Sequence, residues 1–451
     1  MMNDPSSLRI GVDGYNLAMA HGTGVATYAR TLCRTIKRLG YELDLIYGLP
    51  VPASASPGMR ESLFFARLGE NVGDAAAQPK LTVKRMIRRA LTLPLARTMV
   101  EVPVTGRVIA GDLQGRLPPF DRLFTERSIF EISARYFRRY RRFMTLRVPN
   151  PPSIMHWTYP LPLEVAGARN IYTIHDLVPL RLPHTSLEDK SYYDRLIRAC
   201  IDRGDGIVTV SDTSRRDILD LFGADPAGVF NSYQPADLPD APEDSDPARR
   251  LRRLFDLQQD GYFLFFGAIE PKKNIGRLIE AFLSAELDVP LVIVGARGWR
   301  SEQELRLLSG AHGGRLSSAN NVRQLEYLPR GLLLELIRGA RGVLFPSLYE
   351  GFGLPALEAL AQGVPLITST TGSLPEVVGD AALMVDPYDV PAITAALRRL
   401  DADDALRSRL RAAGPGQAAK FSMERYEVTM ARIYRTILDT PPGRSPGSAR
   451  T

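Results

Sequence analysis

The stretch "FFGAIEPKKNIGRLIEAF", Phe265 to Phe282, decides the fold. It begins inside the apolar run "YFLFFG" (Tyr262 to Gly267), breaks at Gly267 and Pro271, and resumes with Ile275, Leu278, Ile279 and Phe282. Those four stand at the i, i+3, i+4, i+7 spacing of one helix face, so the stretch reads as buried strand, loop and amphipathic helix. A strand leading directly into a helix is the repeating unit of a parallel sheet covered by helices.

The same unit recurs along the chain in two sets. The first has apolar runs at Leu8 to Gly14, Glu42 to Tyr47, Ser153 to Trp157, Ile171 to Asp176 and Gly206 to Val210; the second at Tyr262 to Gly267, Pro290 to Gly295, Asn321 to Tyr327, Gly342 to Ser347, Val364 to Thr368 and Ala381 to Val385. Between the sets, "QPADLPDAPEDSDPARR" (Gln234 to Arg250) is rich in Pro and Asp, without apolar periodicity, and reads as a linker. At 451 residues the chain also exceeds what one core organises. The expected architecture is α/β: two doubly wound, Rossmann-like domains facing a central cleft. The N-terminal domain covers 1–240 with a basic insertion at about 51–150, and the C-terminal domain 255–421. A closing helix follows over 422–438, and 439–451 is composed like a disordered tail. In such folds ligands lie beyond the carboxyl ends of the strands, so function belongs to the strand-to-helix loops.

Composition narrows the function classes. No apolar run approaches the ~20 residues of a membrane-spanning helix. The opening "MMNDPSSLRIGVDG" has neither the basic nor the apolar region of an export signal. Cys33 and Cys200 lie in helical patterns and form no metal or disulfide spacing, which suits a reducing cytoplasm. The triplet "DSD" (Asp244 to Asp246) reads as solvated charge in the linker rather than a metal site.

Two loops carry candidate chemistry. In "YEGFGLPALEAL" (Tyr349 to Leu360), Pro355 fits the start of a short helix, and Gly363 and Pro365 mark its end. Gly351 and Gly353 would let backbone N–H groups at that helix start face an anion such as phosphate. Glu350 and Glu358 would repel a phosphate, but the paired oxygens of a carboxylate suit vicinal hydroxyls, as in ribose or a sugar. The plainer reading makes Glu350 a helix cap and Glu358 a surface residue. In the Phe265 to Phe282 stretch, Lys272 and Lys273 stand at a strand's carboxyl end, where an ammonium can neutralise a diphosphate leaving group. The plainer reading there is two lysines solvating a loop.

Taken together, "EPKKN", "PSLYEGFGLPALEALAQGVPLITSTTGSLPEVVGDAALMVDP" and the histidine of "TIHDLVPL" resemble the retaining glycosyltransferases of family 4, which have the GT-B fold. The resemblance implies hexose transfer from a nucleotide sugar without a metal or other cofactor. In its bacterial mannosyltransferase members the donor is GDP-mannose and the product a polysaccharide. It implies that Glu350 contacts the donor sugar, Glu358 the ribose and Lys273 the diphosphate. His175 would lie near the reacting centre, and the backbone of Gly24 in "HGTGVATY" near a donor phosphate. Lys272, Gly351, Phe352, Gly353 and Leu354 complete the expected donor site, with His175, Lys273 and Glu350 as its catalytic residues. The chain departs from the family's pattern at Ala268, where several members have arginine, and at Ala26 and Thr27, which replace a glycine and an arginine. A UDP-hexose transferase, a nucleotide-sugar epimerase and a non-catalytic nucleotide-sugar-binding subunit remain alternatives.

The net charge of +7 is concentrated: Leu81 to Asn150 holds fifteen Lys or Arg against five Asp or Glu. "KRMIRRALTLPLAR" and "RYFRRYRRFMTLR" interleave cations with bulky apolar residues, as a helix lying on an anionic lipid surface does. No nucleic-acid motif accompanies the charge. Lys84, Arg85, Arg88, Arg89, Arg138, Arg139, Arg141 and Arg142 are the expected membrane or acceptor contacts. An enzyme peripheral to the inner face of the cytoplasmic membrane is the corresponding expectation, and a solvated helix face the alternative.

Overall fold

A computed structural model of the chain describes residues 8–18, 24–70, 96–109, 117–236, 246–308, 321–326 and 328–441. The second set of apolar runs forms a six-stranded, wholly parallel sheet. Its spatial order is Val322–Leu325, Leu291–Val294, Phe263–Phe266, Gly342–Phe345, Leu366–Ser369 and Leu383–Val385. Counted along the chain that is 3-2-1-4-5-6, the doubly wound order whose direction reverses between the first and fourth strands. Every residue of Phe263–Phe266, Gly342–Phe345 and Leu366–Ser369 is buried, because helices cover both faces.

The N-terminal sheet repeats this winding. In spatial order it holds Val229–Asn231, Gly206–Thr209, Arg169–Ile174, Ile154–Trp157, Arg9–Asp13, Glu42–Tyr47, Arg122–Thr125 and Val100–Glu101. All neighbours are parallel except the last pair. The 51–150 stretch, expected as an insertion, thus supplies Arg122–Thr125 to the sheet itself. Arg122 reaches back to the buried Asp44, donating from Nε to Oδ1 at 2.8 Å, which lets a charged residue sit beside a sheet core. A small parallel sheet of Ala96–Thr98, Met144–Arg147 and Leu163–Val165 flanks the domain.

The final helix, Met423–Asp439, packs on the N-terminal half of the molecule through Tyr426, Met430, Ile433, Tyr434 and Ile437. Tyr434 Oη lies 2.9 Å from Nδ1 of the buried His156. Gly206 lies beneath this helix, where a Cβ would stand 2.5 Å from Ile437 Cδ1 and oblige that side chain to move. Cys33 and Cys200 are both buried and unpaired, and burial raises both thiols above their ordinary value. Asp246 caps the helix Pro247–Phe255 by accepting from the N–H of Arg249 at 3.0 Å, and the rest of the "DSD" triplet lies outside the described residues.

Candidate active site

The winding reversal of the C-terminal sheet lies between Phe263–Phe266 and Gly342–Phe345, so the loops after these two strands meet. Asn274 holds them together. It adopts φ +62°, which asparagine tolerates, and its Nδ2 donates to the carbonyls of Pro346 (3.0 Å) and Pro387 (2.7 Å). The Leu348 N–H donates to the Lys272 carbonyl at 2.8 Å.

Within this frame Lys273 Nζ donates to Glu350 Oε1 at 2.6 Å and stands 4.9 Å from the centroid of the Phe345 ring. Both partners are buried. Burial alone would raise the Glu350 carboxyl, but Lys273 and then Lys272 outweigh it and hold it below the usual carboxylate range. Lys272 lies 3.6 Å from Glu270. Burial pulls its ammonium down, yet the charges of Asp176, Glu270 and Glu350 more than reverse this and leave it above lysine's ordinary value.

Glu358 lies on the helix Leu354–Ala361, with Pro355 as the second residue and Gly363 at φ +65° just beyond its end. Its carboxylate is clamped by Arg330, with Nη1 to Oε2 at 3.0 Å and Nη2 to Oε1 at 2.6 Å. Sequence reading missed Arg330. A bidentate guanidinium fixes the carboxylate plane and leaves each oxygen one further lone pair for a ligand hydroxyl. Gly353 opens the helix at φ +97°, a conformation that excludes a side chain there.

Two residues of the expected anion cradle also make contacts at the domain junction. A Cβ on Gly351 would stand 2.3 Å from the His175 carbonyl oxygen and 2.8 Å from Asp176 Cβ, so this glycine is required by contact between the two domains. The Phe352 side chain is buried in an aromatic cluster with Tyr233 and Phe421, at centroid distances of 6.3 and 5.6 Å. That ring packs the domain junction. Leu354 is half-buried at the helix start.

From the other domain, His175 directly follows the strand Arg169–Ile174. Its Nε2 lies 2.9 Å from the Thr158 carbonyl, and a carbonyl only accepts, so Nε2 carries a proton and Nδ1 is the acceptor whenever the ring is neutral. Burial lowers the imidazole from its ordinary value, outweighing the opposite effects of the Thr158 hydrogen bond and the Asp176 charge, with Lys272 adding to the lowering. The Tyr28 ring meets His175 edge-on at 4.9 Å. Behind it, Tyr28 Oη, Thr173 Oγ1, His156 and Tyr434 form a buried chain, with Tyr28 to Thr173 at 3.0 Å and Thr173 to His156 Nε2 at 2.8 Å.

Two further contacts close one side of the cleft. Ser214 Oγ, which lies 2.8 Å from the His175 carbonyl of its own domain, also lies within donating distance of the Gly351 carbonyl of the other, at 3.3 Å. The Glu376 carboxylate accepts from the N–H groups of Asp212 (3.0 Å) and Thr213 (2.9 Å), the first turn of the helix Asp212–Phe222. The open side is a cavity of about 330 Å³ lined by His175, Asp176 and Lys272, with Val25 at the start of the helix Gly24–Arg38. Nothing stands within 4 Å of where a Cβ on Gly24 would lie, so that helix start is sterically open. Among the described residues, no group of three His, Cys, Asp or Glu is placed to hold a metal ion.

Arg138 and Arg139 end the helix Ile129–Tyr140, and with Arg141 and Arg142 they are exposed. Arg138 lies over the Tyr192 ring at 4.5 Å and Arg139 over Tyr140 at 5.5 Å. Lys84, Arg85, Arg88 and Arg89 lie outside the described residues. Among the described residues no helix is long and apolar enough to cross a membrane.

Two doubly wound domains, with paired lysines and glutamates in the loops of one winding reversal and a cavity lined by both Lys272 and His175, have the architecture of a GT-B nucleotide-sugar enzyme. Residues 251–417 match the family described as glycosyl transferases group 1, and residues 22–230 match glycosyltransferase family 4. The chain belongs to these family 4 glycosyltransferases. O-antigen chain mannosyltransferase B of Escherichia coli is 33% identical over 274 residues, covering 60% of this chain and 71% of that protein. A D-inositol 3-phosphate glycosyltransferase of Acidothermus cellulolyticus is 29% identical over 318 residues, 66% of this chain and 70% of that protein. Among solved structures, Anabaena Alr3699/HepE in complex with UDP and glucose superposes with a TM-score of 0.64 at 13% identity, covering 95% of this chain and all of that one.

Proposed function

We propose that the chain transfers a hexose with retention of anomeric configuration, mannose from GDP-mannose, to a glycan or lipid-linked saccharide in polysaccharide assembly. The observation that carries this is the buried Lys273–Glu350 pair at the winding reversal, in the loop whose Gly351 abuts the His175 carbonyl of the other domain. Mannose is supported by the Escherichia coli relative, whose name gives that sugar.

In this reading Glu358, held in plane by Arg330, takes the ribose hydroxyls of the donor. Glu350, kept ionised by Lys273, takes sugar hydroxyls, and Nδ1 of neutral His175 accepts another. Lys272, Lys273 and the helix starts at Gly24 and Leu354 offset the charge that grows on the diphosphate as the anomeric bond breaks. These charges do what a divalent ion does in other transferases, so chelator should leave the rate intact. The acceptor hydroxyl's proton passes to the departing phosphate on the same sugar face, and no protein base is assigned.

The exposed arginines at 138, 139, 141 and 142 support work at the inner face of the cytoplasmic membrane, where the N-terminal domain would meet a lipid-linked acceptor. A donor screen following nucleotide release tests the whole reading. Turnover confined to UDP-sugars removes mannose. Epimerisation of the donor without acceptor replaces transfer, and no turnover of any donor makes the chain a binding subunit.

A further inference from the structure

Asp13 is a fully buried carboxylate to which the reading above gives no part. It ends the strand Arg9–Asp13, which lies beside Ile154–Trp157, and that strand lies in turn beside Arg169–Ile174. The three strands are parallel, so their carboxyl ends stand side by side, and His175 at that edge lines the interdomain cavity. Asp13, Thr158 and His175 are joined there in a row. Asp13 Oδ2 accepts from the Thr158 N–H at 2.5 Å, and the Thr158 carbonyl accepts from His175 Nε2 at 2.9 Å.

We propose that Asp13 is a positioning residue for transfer, fixing Thr158 so that its carbonyl sets the tautomer and ring plane of His175. The proposal rests on the transferase reading above and adds to it a residue that never meets the donor.

Local structure shows why a side chain takes this part. Thr158 lies just past the last residue of its strand, where its buried N–H still needs an acceptor, and the Asp13 carboxylate supplies one. The other oxygen, Oδ1, accepts from the Tyr15 N–H at 3.2 Å, so one carboxylate ties its own turn to the neighbouring strand end. Burial lifts the Asp13 pKa to about 6, against the lowering effect of these N–H groups, so at neutral pH the group is ionised and can only accept. An imidazole left to itself carries its proton on either nitrogen, and the hydrogen bond of one nitrogen decides the state of the other. With Thr158 held, Nε2 donates and Nδ1 is left as the acceptor for a donor hydroxyl. The Tyr28 ring, perpendicular to the imidazole at 4.9 Å between centroids, limits its swing.

The first measurement needs only the wild type. Ring-nitrogen NMR shifts of histidine-labelled protein at mildly alkaline pH, with the His175 signal assigned by its loss in His175→Gln, should show Nε2 protonated and Nδ1 bare. Asp13→Asn keeps the shape but puts an amide donor where one acceptor oxygen stood, and it should move the His175 shifts toward an average of the two tautomers. With the donor that the screen selects, the same variant should lower kcat roughly ten- to a hundredfold. GDP affinity by calorimetry should be kept, because GDP carries no sugar. In the His175→Gln enzyme, Asp13→Asn should change kcat by less than about twofold, since a residue acting through His175 then has nothing to hold. If urea midpoints show Asp13→Asn to be poorly folded, Asp13→Ser, which still offers an acceptor, takes its place in the cycle. A wild-type His175 protonated on Nδ1 alone, ring shifts unchanged in the variant, or equal fold-losses with and without His175 would reduce Asp13 to a cap on a strand end and overturn the proposal. Absence of turnover with any donor, alongside the expected ring shifts, instead overturns the transferase reading and not the hold of Asp13 on His175.

Discussion

Lys273 and Glu350 stand 77 residues apart in sequence and 2.6 Å apart in space, joined across the one place where the C-terminal sheet reverses its winding. Each loop alone reads as a solvated surface. Brought together and buried, they form an ion pair that keeps a carboxylate charged beside the expected diphosphate.

Removing the lysine should therefore have two effects. Lys273→Ala is expected to cost about 2 to 4 kcal/mol in transition-state stabilisation, read as kcat. It also strands a buried carboxylate, which costs about 3 to 5 kcal/mol of stability, read as urea midpoint. Unchanged kcat in the folded variant would remove the catalytic role and leave the pair structural.

The two glutamates should separate by ligand. Glu358→Ala should weaken GDP and GDP-mannose alike, because both carry the ribose, while Glu350→Ala should spare GDP and reduce turnover. Arg330→Ala should reproduce part of the Glu358 loss, and the double variant should fall short of the sum, since one group acts through the other. Calorimetry on the four proteins decides, and equal loss of GDP affinity at Glu350 and Glu358 contradicts the assignment.

How much of this was legible beforehand depends on the range of the signal. All six runs of the C-terminal half contain strands; the four inner ones are fully buried and hence predominantly apolar, whereas the edge strands Val322–Leu325 and Leu383–Val385 are only partly buried. Arg122–Thr125 was hidden because it is short and begins with a charge, and the neutralising partner, Asp44, lies 78 residues away. The site was legible as residue types and not as contacts. Sequence spacing offers no means of matching Arg330 to Glu358, of turning Phe352 toward Tyr233 and Phe421, or of finding that Gly351 makes room for His175.

That glycine gives a test of domain contact. Gly351→Ala places a methyl against a backbone carbonyl of the other domain, and a carbonyl cannot rotate away as a side chain can. The expected result is a larger radius of gyration in solution scattering and a fall in kcat, with GDP affinity of the C-terminal domain largely kept. A variant with wild-type scattering and kcat would show that the two loops need not touch during turnover.

His156 should set an acid limit on stability. Burial, then the nearby His175, pushes its pKa down to about 3 from the ordinary 6.5. Below pH 6.5 the unfolded chain takes up a proton that the folded protein refuses until about pH 3. Stability from this group is thus complete above pH 6.5 and falls as pH drops toward 3, by at most ~1.4 kcal/mol per pH unit. His156→Gln should be less stable at neutral pH, having lost part of the Thr173 and Tyr434 contacts, yet show a flatter decline toward acid in urea midpoints. Identical slopes in variant and wild type would mean that His156 does not titrate with unfolding.

The last expectation concerns the arginines at 138, 139, 141 and 142, which are exposed together at the end of one helix and the turn beyond it. Stacking of Arg138 on Tyr192 and of Arg139 on Tyr140 holds those two side chains against the surface beside the exposed Arg141 and Arg142. A well-placed arginine near an anionic bilayer contributes about 1 kcal/mol, so four would change partitioning by up to roughly a thousandfold at low ionic strength. Salt must weaken the effect, because the attraction is screened over about 10 Å at 0.1 M. The measurement is co-sedimentation with phosphatidylserine-containing vesicles at roughly 50 mM and roughly 500 mM salt, which lie either side of that screening condition. The wild type should bind at low salt and release at high, and replacing all four arginines by serine should abolish most of the low-salt binding while leaving transfer to a water-soluble acceptor intact. Should the wild type ignore anionic vesicles, or the replacements leave binding untouched, the patch is a solvated face and the acceptor reaches the cleft from solution.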